Sequence, residues 1–222
     1  MTNFERDEIL PPDPDLEVLH DREYRVRAFR KDPNLLIRGA VRDQKPPGLY
    51  LSDDPDPLTI HHMQVDLEVS FPAMEIVAAT VVFESHPHEL CPSITPHYEK
   101  LVGLSIARGF THKVRELFGG PRGCTHTTAL LQAMAPVAIQ CVWSMALSDS
   151  GRRVENGALQ PAIDQRRALW ATNLNTCHEW AEDGELVTAL RNGGTVPAPL
   201  PIRRRAADLG IDIDEFFKKA RG

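Results

Sequence analysis

The sequence predicts an α+β protein, in which an antiparallel sheet of about four strands is packed by helices that include one long kinked helix. The first observation is that residues 22–84 hold four apolar segments, short enough to be strands and separated by turn residues. The second is that apolar residues recur at offsets of three and four from about Thr125 to Leu147, the spacing of one helical face. With 222 residues, the chain can bury a proper core.

The four predicted strands lie at residues 22–30, 35–42, 60–71 and 75–84. The first two alternate on either side of Asp32-Pro33-Asn34, a turn that makes them a hairpin. The third alternates without a break, so one of its faces belongs to the core and the other is polar. The fourth is nearly all apolar, which predicts a central strand. Residues 43–58, rich in Pro and Asp, predict a loop long enough to be a lid or the wall of a site.

Helical spacing predicts short helices from Thr95 to Leu101 and from Thr111 to Phe118, each followed by glycine. The long helix contains Pro136, which should kink it or break it in two. A polar loop is expected at 149–157 and a further helix at 160–172. Residues 175–187 fit a strand–turn–strand ribbon, with a helix as the alternative.

Three regions follow from this pattern. Residues 1–21, acidic and rich in proline, predict an extended arm, and residues 22–190 predict a single α+β domain. Residues 191–222 predict a linker and a C-terminal helical tail, with Ile213, Phe216 and Phe217 on one side. Arm and tail have no place in the core of a compact domain, so a homodimer is expected.

Composition excludes several classes of protein. The net charge is −6 and no basic stripe is present, which argues against nucleic acid as a partner. No run of 18 apolar residues occurs, so no membrane span is expected. The acidic, polar start does not resemble a signal peptide, which predicts a cytoplasmic protein whose four cysteines are thiols or ligands rather than disulfides.

The segment Gly119-Gly120-Pro121-Arg122-Gly123-Cys124-Thr125-His126 leads directly into the long helix. A helix start presents unpaired N–H groups and the positive end of the helix dipole, which favour a thiolate or a bound anion. Cys124 and His126 are therefore candidate catalytic residues. Arg122, Gly123 and Thr125 are candidates for holding a small anionic substrate. The plain alternative is that the glycines make a loop and that Cys124 and His126 only pack.

Three chemistries remain open for these residues. In the first, Cys91, Cys124, Cys177 and His126 converge to ligate zinc or iron. In the second, Cys124 is a nucleophile; residues at i and i+2 do not face each other on a regular helix, so His61 is favoured over His126 as its base. In the third, no metal or nucleophile is needed.

In that third chemistry the helix start binds a carboxylate or phosphate, with Arg122 neutralising it. His61, together with Asp66 or Glu89, does acid–base work. His61 has the parity of Met63, so it should point towards the core. Cys141, on the apolar face of the long helix, is expected to be a core residue.

Five segments appear in an order that resembles a bacterial family known as domain-of-unknown-function family 2889: 60–63, 91–94, 101–106, 119–126 and 175–184. The most specific is Gly-Cys-Thr-His at 123–126, preceded by Leu-Val-Gly-Leu at 101–104. His62 departs from the family pattern, which has Asp at that position. The resemblance implies a bacterial cytoplasmic protein associated with catabolism of aromatic or alicyclic compounds, but no particular reaction.

A weaker similarity, at the level of the fold, is to iron–sulfur scaffold proteins, which hold a metal or cluster with cysteines, an Asp and a His or Cys. The expected function is therefore an enzyme, a hydrolase or lyase, that acts on a small organic acid or an aromatic or alicyclic intermediate. The alternative is a metal- or iron–sulfur-binding assembly protein without catalysis.

Overall fold

The computed structural model describes residues 9–155, 170–194 and 198–212, and its sheet confirms the α+β prediction. Four antiparallel strands follow one another in the order β1-β2-β3-β4. Their bounds are β1 Asp21–Lys31, β2 Asn34–Lys45, β3 Leu58–Val69 and β4 Ile76–Ser85. All four strands were predicted, with boundary errors of one to three residues.

Alternation decides which face of the sheet is buried. On β2 and β3 the apolar side chains of one parity are at most 2% exposed: Leu35, Ile37, Val41, Met63, Val65, Leu67 and Val69. The opposite face carries ion pairs between strands, such as Arg38 with Asp66 at 2.7 Å. The core therefore lies on one side of the sheet, as an amphipathic antiparallel sheet requires.

The prediction that the fourth strand is central was wrong. β4 is an edge strand, and Val77 and Val82 are 43% and 40% exposed. A continuous apolar run cannot by itself distinguish a central strand from an edge strand that is partly covered. Here the covering comes from the segment after the sheet, because Ile76 N–H donates to Leu104 and Ile76 C=O accepts from Gly103.

The helices are α1 Phe110–Phe118, α2 Thr125–Glu155, α3 Glu185–Arg191 and α4 Leu200–Asp208. Short 3-10 helices occupy Cys91–Leu101, Gly120–Arg122, Trp170–Asn173 and His178–Trp180. The region 175–187 is therefore helical rather than a ribbon of strands. The 160–172 helix falls mostly outside the described residues, as do Ile213, Phe216 and Phe217.

Helix α2 runs on through Pro136, so of the two predicted outcomes, a kink or a break, the break does not occur; the helix also extends eight residues beyond Leu147 into the expected loop. Proline removes one N–H donor, yet α2 is also held by its packing on the sheet. A Cβ built on Gly39 of β2 would lie 2.8 Å from Met134 Sδ and 3.1 Å from Leu130 Cδ1. Glycine at position 39 therefore allows α2 to lie close against β2.

The chain divides into two compact units, Met1–Val142 and Trp143–Gly222. Their boundary lies within α2, whereas the sequence suggested boundaries at 21/22 and 190/191. The assignment of 22–190 as one domain stays a prediction. Within the described residues, no helix combines the length and apolar character needed to cross a membrane.

Candidate functional site

The centre of the site is Asp43, near the end of β2. It continues the alternation of Leu35, Ile37 and Val41, so its carboxylate points to the core face, and the residue is only 1% exposed. A carboxylate buried to this extent is stable only with charged or hydrogen-bonding partners. Asp43 has five such contacts, with four side chains.

Strand register supplies two of these side chains. Arg22 of β1 lies opposite Asp43. Its guanidinium donates two hydrogen bonds to the carboxylate, from Nε to Oδ1 at 2.5 Å and from Nη2 to Oδ2 at 2.7 Å. His61 of β3 lies opposite Asp43 on the other side, with Nδ1 3.1 Å from Oδ2. His20, from the arm just before β1, places Nε2 3.4 Å from Oδ1.

The start of α2 supplies the fourth. His126 lies in the first turn, and its Nε2 is 3.1 Å from Asp43 Oδ2. Its ring stacks on that of His61, with centroids 3.8 Å apart and planes at 26°. The two imidazoles thus share one carboxylate oxygen, and each side chain is about one fifth exposed (20% for His61 and 19% for His126).

Cys124 is the N-cap residue of α2, directly before its first helical residue, and its carbonyl accepts the first helical hydrogen bond, from Thr128 N–H, at 2.9 Å. Its Sγ lies 3.7 Å from His126 Nδ1. The expectation that Cys124 and His126 cannot face each other was wrong, because Cys124 precedes the helix and the i, i+2 rule for regular helices does not apply. His126 therefore meets Cys124 with one ring nitrogen and Asp43 with the other.

Tyr98 fixes the backbone of Cys124. The N–H of Cys124 donates to the Tyr98 hydroxyl at 2.8 Å, and Tyr98 is 1% exposed, with its ring stacked on Phe118. A buried phenol needs a partner for its hydroxyl, and a helix start has N–H groups to offer. The nucleophile candidate is therefore positioned by the core rather than by a free loop.

The charges at the site follow from burial and from Arg22. Burial opposes ionisation of Asp43, but the hydrogen bonds and charge of Arg22, helped by His126 and His20, outweigh it and lower the pKa of Asp43 to about 2. Burial lowers the pKa of His61, and burial together with the neighbouring His61 lowers the pKa of His126. At neutral pH Asp43 is thus charged and both histidines are neutral.

This charge state fixes the tautomers. An ionised carboxylate only accepts hydrogen bonds, so the ring nitrogens that face Asp43 carry the protons: Nδ1 of His61 and Nε2 of His126. The opposite nitrogens then have free lone pairs. On His126 that nitrogen is Nδ1, the one that faces Cys124.

Of the three residues predicted to hold substrate, Arg122 and Gly123 serve the local structure, and Thr125 is exposed. The Arg122 guanidinium donates to the carbonyls of Glu116 and Arg115 at the end of α1, at 2.9 and 3.3 Å. A Cβ on Gly123 would lie 2.5 Å from Phe118 O, so glycine at this position allows the backbone to pass close to the end of α1. Thr125 is exposed in the first turn of α2, where backbone N–H groups lack helical partners.

Among the described residues, the group that could hold a metal ion is Asp43, His61 and His126, whose ligand atoms all lie within 4.8 Å of one another. Of the predicted ligands it includes His126 but none of the cysteines. Cys91 begins a 3-10 helix, and exposed Cys177 belongs to the other compact unit. Shared ligation by the three cysteines stays a prediction. Cys141 is half-buried, and burial raises its pKa.

Sequence reasoning named Cys124, His126 and His61 but missed four residues of the site: His20, Arg22, Asp43 and Tyr98. Asp43 was assigned to a loop, although it continues the buried parity of β2, and an acid in such a stripe is a signal that can be read. His20 and Tyr98 had no local signal. Asp66, considered as a partner for His61, lies on the opposite face of the sheet with Arg38.

The comparisons with known proteins bear on the family and not on the reaction. Neither the curated proteins nor the solved structures contain a match to the chain. Residues 20–140, more than half of the chain, match the family described as "Protein of unknown function (DUF2889)". This range includes β1 to β4 and the site residues His20, Arg22, Asp43, His61, Tyr98, Cys124 and His126. The chain therefore belongs to the DUF2889 family.

Proposed function

We propose that the chain is a thiol-dependent hydrolase, in which Cys124 is the nucleophile, His126 its general base and Asp43 the residue that orients His126. The observation that carries this proposal is the alignment through opposite nitrogens of one ring, Cys124 Sγ to Nδ1 at 3.7 Å and Nε2 to Asp43 Oδ2 at 3.1 Å. Nucleophile, base and orienting carboxylate in line are the parts that acyl transfer requires.

The reaction would begin when Cys124 gives its proton to His126 Nδ1 as the sulfur attacks a carbonyl carbon. Collapse of the tetrahedral intermediate breaks the bond to the leaving group, which takes the proton from His126. Water then gives a proton to His126 and attacks the thioester, releasing an acid and the Cys124 thiol. The first-turn N–H groups of α2 would stabilise the oxyanion.

Asp43 acts on His126 in two ways. It holds the tautomer with Nε2–H, leaving Nδ1 as a base, and its charge stabilises the imidazolium that forms during the reaction. Arg22 keeps Asp43 ionised and in place. The low pKa of His126 then has a role, because a histidine that is neutral at physiological pH can accept a proton.

As substrate we propose a small anionic ester, thioester or amide derived from an organic acid. The α2 N-terminus favours a negative charge, and His20 and Arg22 are partly exposed, at 39% and 36% of their side chains. The family resemblance supports a bacterial cytoplasmic enzyme of aromatic or alicyclic catabolism. A lyase that uses the same base remains within this proposal.

The test uses p-nitrophenyl acetate and p-nitrophenyl benzoate as probes, because the natural substrate is unidentified. Wild-type protein should release nitrophenol with a burst and carry the acyl group on Cys124, detected by peptide mass spectrometry. Cys124→Ser and His126→Gln should reduce turnover by about 100-fold or more. Cys141→Ser is the matched control and should keep wild-type turnover. Absence of an acyl adduct on Cys124 would contradict the proposal.

A second candidate function is metal-dependent catalysis, and a specific observation favours it: Asp43, His61 and His126 could hold an ion. Two imidazoles and a carboxylate suit zinc or iron with open positions for substrate. An iron–sulfur cluster would instead require thiolates, which this group lacks. One observation argues against a bound cation: the positively charged Arg22 already donates hydrogen bonds to both oxygens of Asp43.

The two candidates differ in which residue they need. Cys124 belongs only to the thiol arrangement, and His61 belongs only to the metal group. Zinc content should be measured in freshly purified wild type, Cys124→Ser and His61→Gln. A thiol hydrolase predicts activity without metal, sensitive to Cys124→Ser. Bound zinc or iron that His61→Gln removes, with activity lost in parallel and retained in Cys124→Ser, would replace the first candidate by the second.

A further inference from the structure

Large apolar side chains are exposed in the arm, in the loop that joins β2 to β3, and around α4. In the arm Leu16 is 77% exposed and Leu19 61%; in the loop Tyr50 is 63% exposed. At α4, Leu200 and Leu209 are each 57% exposed. Large contiguous apolar patches on a protein surface mark sites of association, so these segments are the places to look for one.

The arm and the loop form a groove of about 410 Å³ lined by Glu17, Val18, Pro46, Pro47, Gly48 and Leu49. Apart from Glu17 and Gly48, the residues that line it have apolar side chains. Lys45 Nζ, at the end of β2, lies 3.5 Å from the carbonyl oxygen of Leu19, which ties the arm to the sheet at this point. The groove is therefore open, lined largely by apolar side chains, and acidic on its arm side, where Asp13 and Asp15 are also exposed.

Helix α4 has the complementary character. Three consecutive arginines, 203–205, are exposed, and none of them forms an ion pair within the described part of the chain. Leu200, Arg203 and Arg204 share one helical face by their offsets of three and four. Ala206, the buried residue of the helix, lies on another face. The face of Leu200 thus offers an apolar anchor flanked by two positive charges.

We propose that α4 of a second copy of this chain binds in the groove, with Leu200 against Val18 and Leu49 and with Arg203 and Arg204 facing Glu17 and Asp15. An amphipathic helix laid in an apolar groove is a common mode of recognition, and here the charges also match. Exchange in both directions gives a two-fold symmetric dimer.

The groove borders the candidate site along the chain. Val18 precedes by two residues His20, whose ring contacts Asp43, and Pro46 follows Asp43 by three residues, a backbone spacing of about 10 Å. A helix seated there would form a wall of the site that one copy alone does not supply. This inference does not depend on the chemistry of Cys124, since it concerns association.

The experiment measures mass by sedimentation equilibrium for wild type and two charge-reversed variants. Arg203→Glu/Arg204→Glu makes the helix acidic, and Asp15→Lys/Glu17→Lys makes the groove basic. Each variant should weaken the dimer by at least about tenfold in Kd, because like charges then face each other. Arg205→Glu, on a different helical face, is the matched control and should stay dimeric. Circular dichroism checks that each variant is folded.

Mixing the two reversed variants is the decisive step. In a mixture, the acidic helix of one variant meets the basic groove of the other, and the basic helix meets the acidic groove, so both interfaces are again complementary. Heterodimers should appear with nearly wild-type Kd. A wild type that is monomeric at micromolar concentration, reversed variants that still dimerise, or a mixture that stays monomeric would each overturn the proposal. The last result would indicate helix and groove joined within one chain.

Discussion

At the scale of single residues, the site depends on the charge of Asp43. Three nitrogen atoms lie within hydrogen-bond distance of its Oδ2: one of Arg22 at 2.7 Å, and one each of His61 and His126 at 3.1 Å. This oxygen therefore has no room for a further donor. Burial lowers the pKa values of both stacked histidines, His61 lowers that of His126 further, and the positive charge of Arg22 makes a smaller contribution to each. Arg22 thus keeps Asp43 ionised, and burial does most to keep the two histidines neutral.

Tyr98 offers a test of how Cys124, the proposed nucleophile, is positioned. Tyr98→Phe keeps the ring against Phe118 but leaves the Cys124 N–H without its acceptor. We expect the free energy of unfolding to fall by about 1–3 kcal/mol, the cost of an unsatisfied buried donor. Alkylation of Cys124 by iodoacetamide should also change in rate, because the sulfur moves with its backbone.

Tyr50→Phe is the control for Tyr98→Phe, since Tyr50 is 63% exposed. It should change neither the urea unfolding midpoint nor the alkylation rate. If Tyr98→Phe behaves like this control in both measurements, the Tyr98 hydroxyl does not hold Cys124 and the core does not position its sulfur.

At the scale of elements, the distance between α2 and the sheet decides whether His126 reaches Asp43. The start of α2 carries Cys124 and His126, whereas β2 and β3 carry Asp43 and His61. Gly39 sets the approach, because Met134 and Leu130 of α2 occupy the space where a side chain would stand. A methyl group at position 39 should therefore affect both stability and the site.

Gly39→Ala puts a Cβ 2.8 Å from Met134 Sδ, closer than real side chains pack. We expect a loss of about 1–3 kcal/mol in urea unfolding, the usual cost of overpacking a core. In a Met134→Ala background the added methyl enters vacated space, so the same change should cost at least about 1 kcal/mol less. An equal cost in both backgrounds would show that α2 does not rest on Gly39.

At the scale of the whole molecule, the sheet could be predicted from sequence because its signal is local. Alternation with a period of two and the turn at Asp32-Pro33 were enough to find β1 and β2. The site was only half predicted. Cys124 and His126 stand out as a short motif. Asp43 and Arg22 are brought to them by strand register and by the packing of α2, and a short stretch of sequence reveals neither the register nor the packing.

The same long-range convergence predicts how stability depends on pH. The folded pKa of Asp43, about 2, lies below its ordinary value of 3.8, so the unfolded state binds protons more readily in this interval. This contribution is present above pH 3.8 and is lost as the pH falls towards 2, and it is on the order of 2 kcal/mol. His61 and His126 also have folded pKa values below the ordinary 6.5. Their contribution is present above pH 6.5 and declines below it.

Stability should therefore decline in two steps as the pH falls, the first below about pH 6.5 from the histidines and the second below about pH 4 from Asp43. Urea unfolding of wild type and His61→Asn between about pH 8 and pH 3 separates them. Removing His61 takes away one titrating group and the repulsion that contributes to the low pKa of His126, so the first step should shrink and the second should remain.

His88→Asn, at an exposed position outside the site, is the control and should leave both steps unchanged. A first step of full size in His61→Asn would mean that the stacked histidines are not the groups that resist protonation, and the neutral base proposed for Cys124 would lose its support.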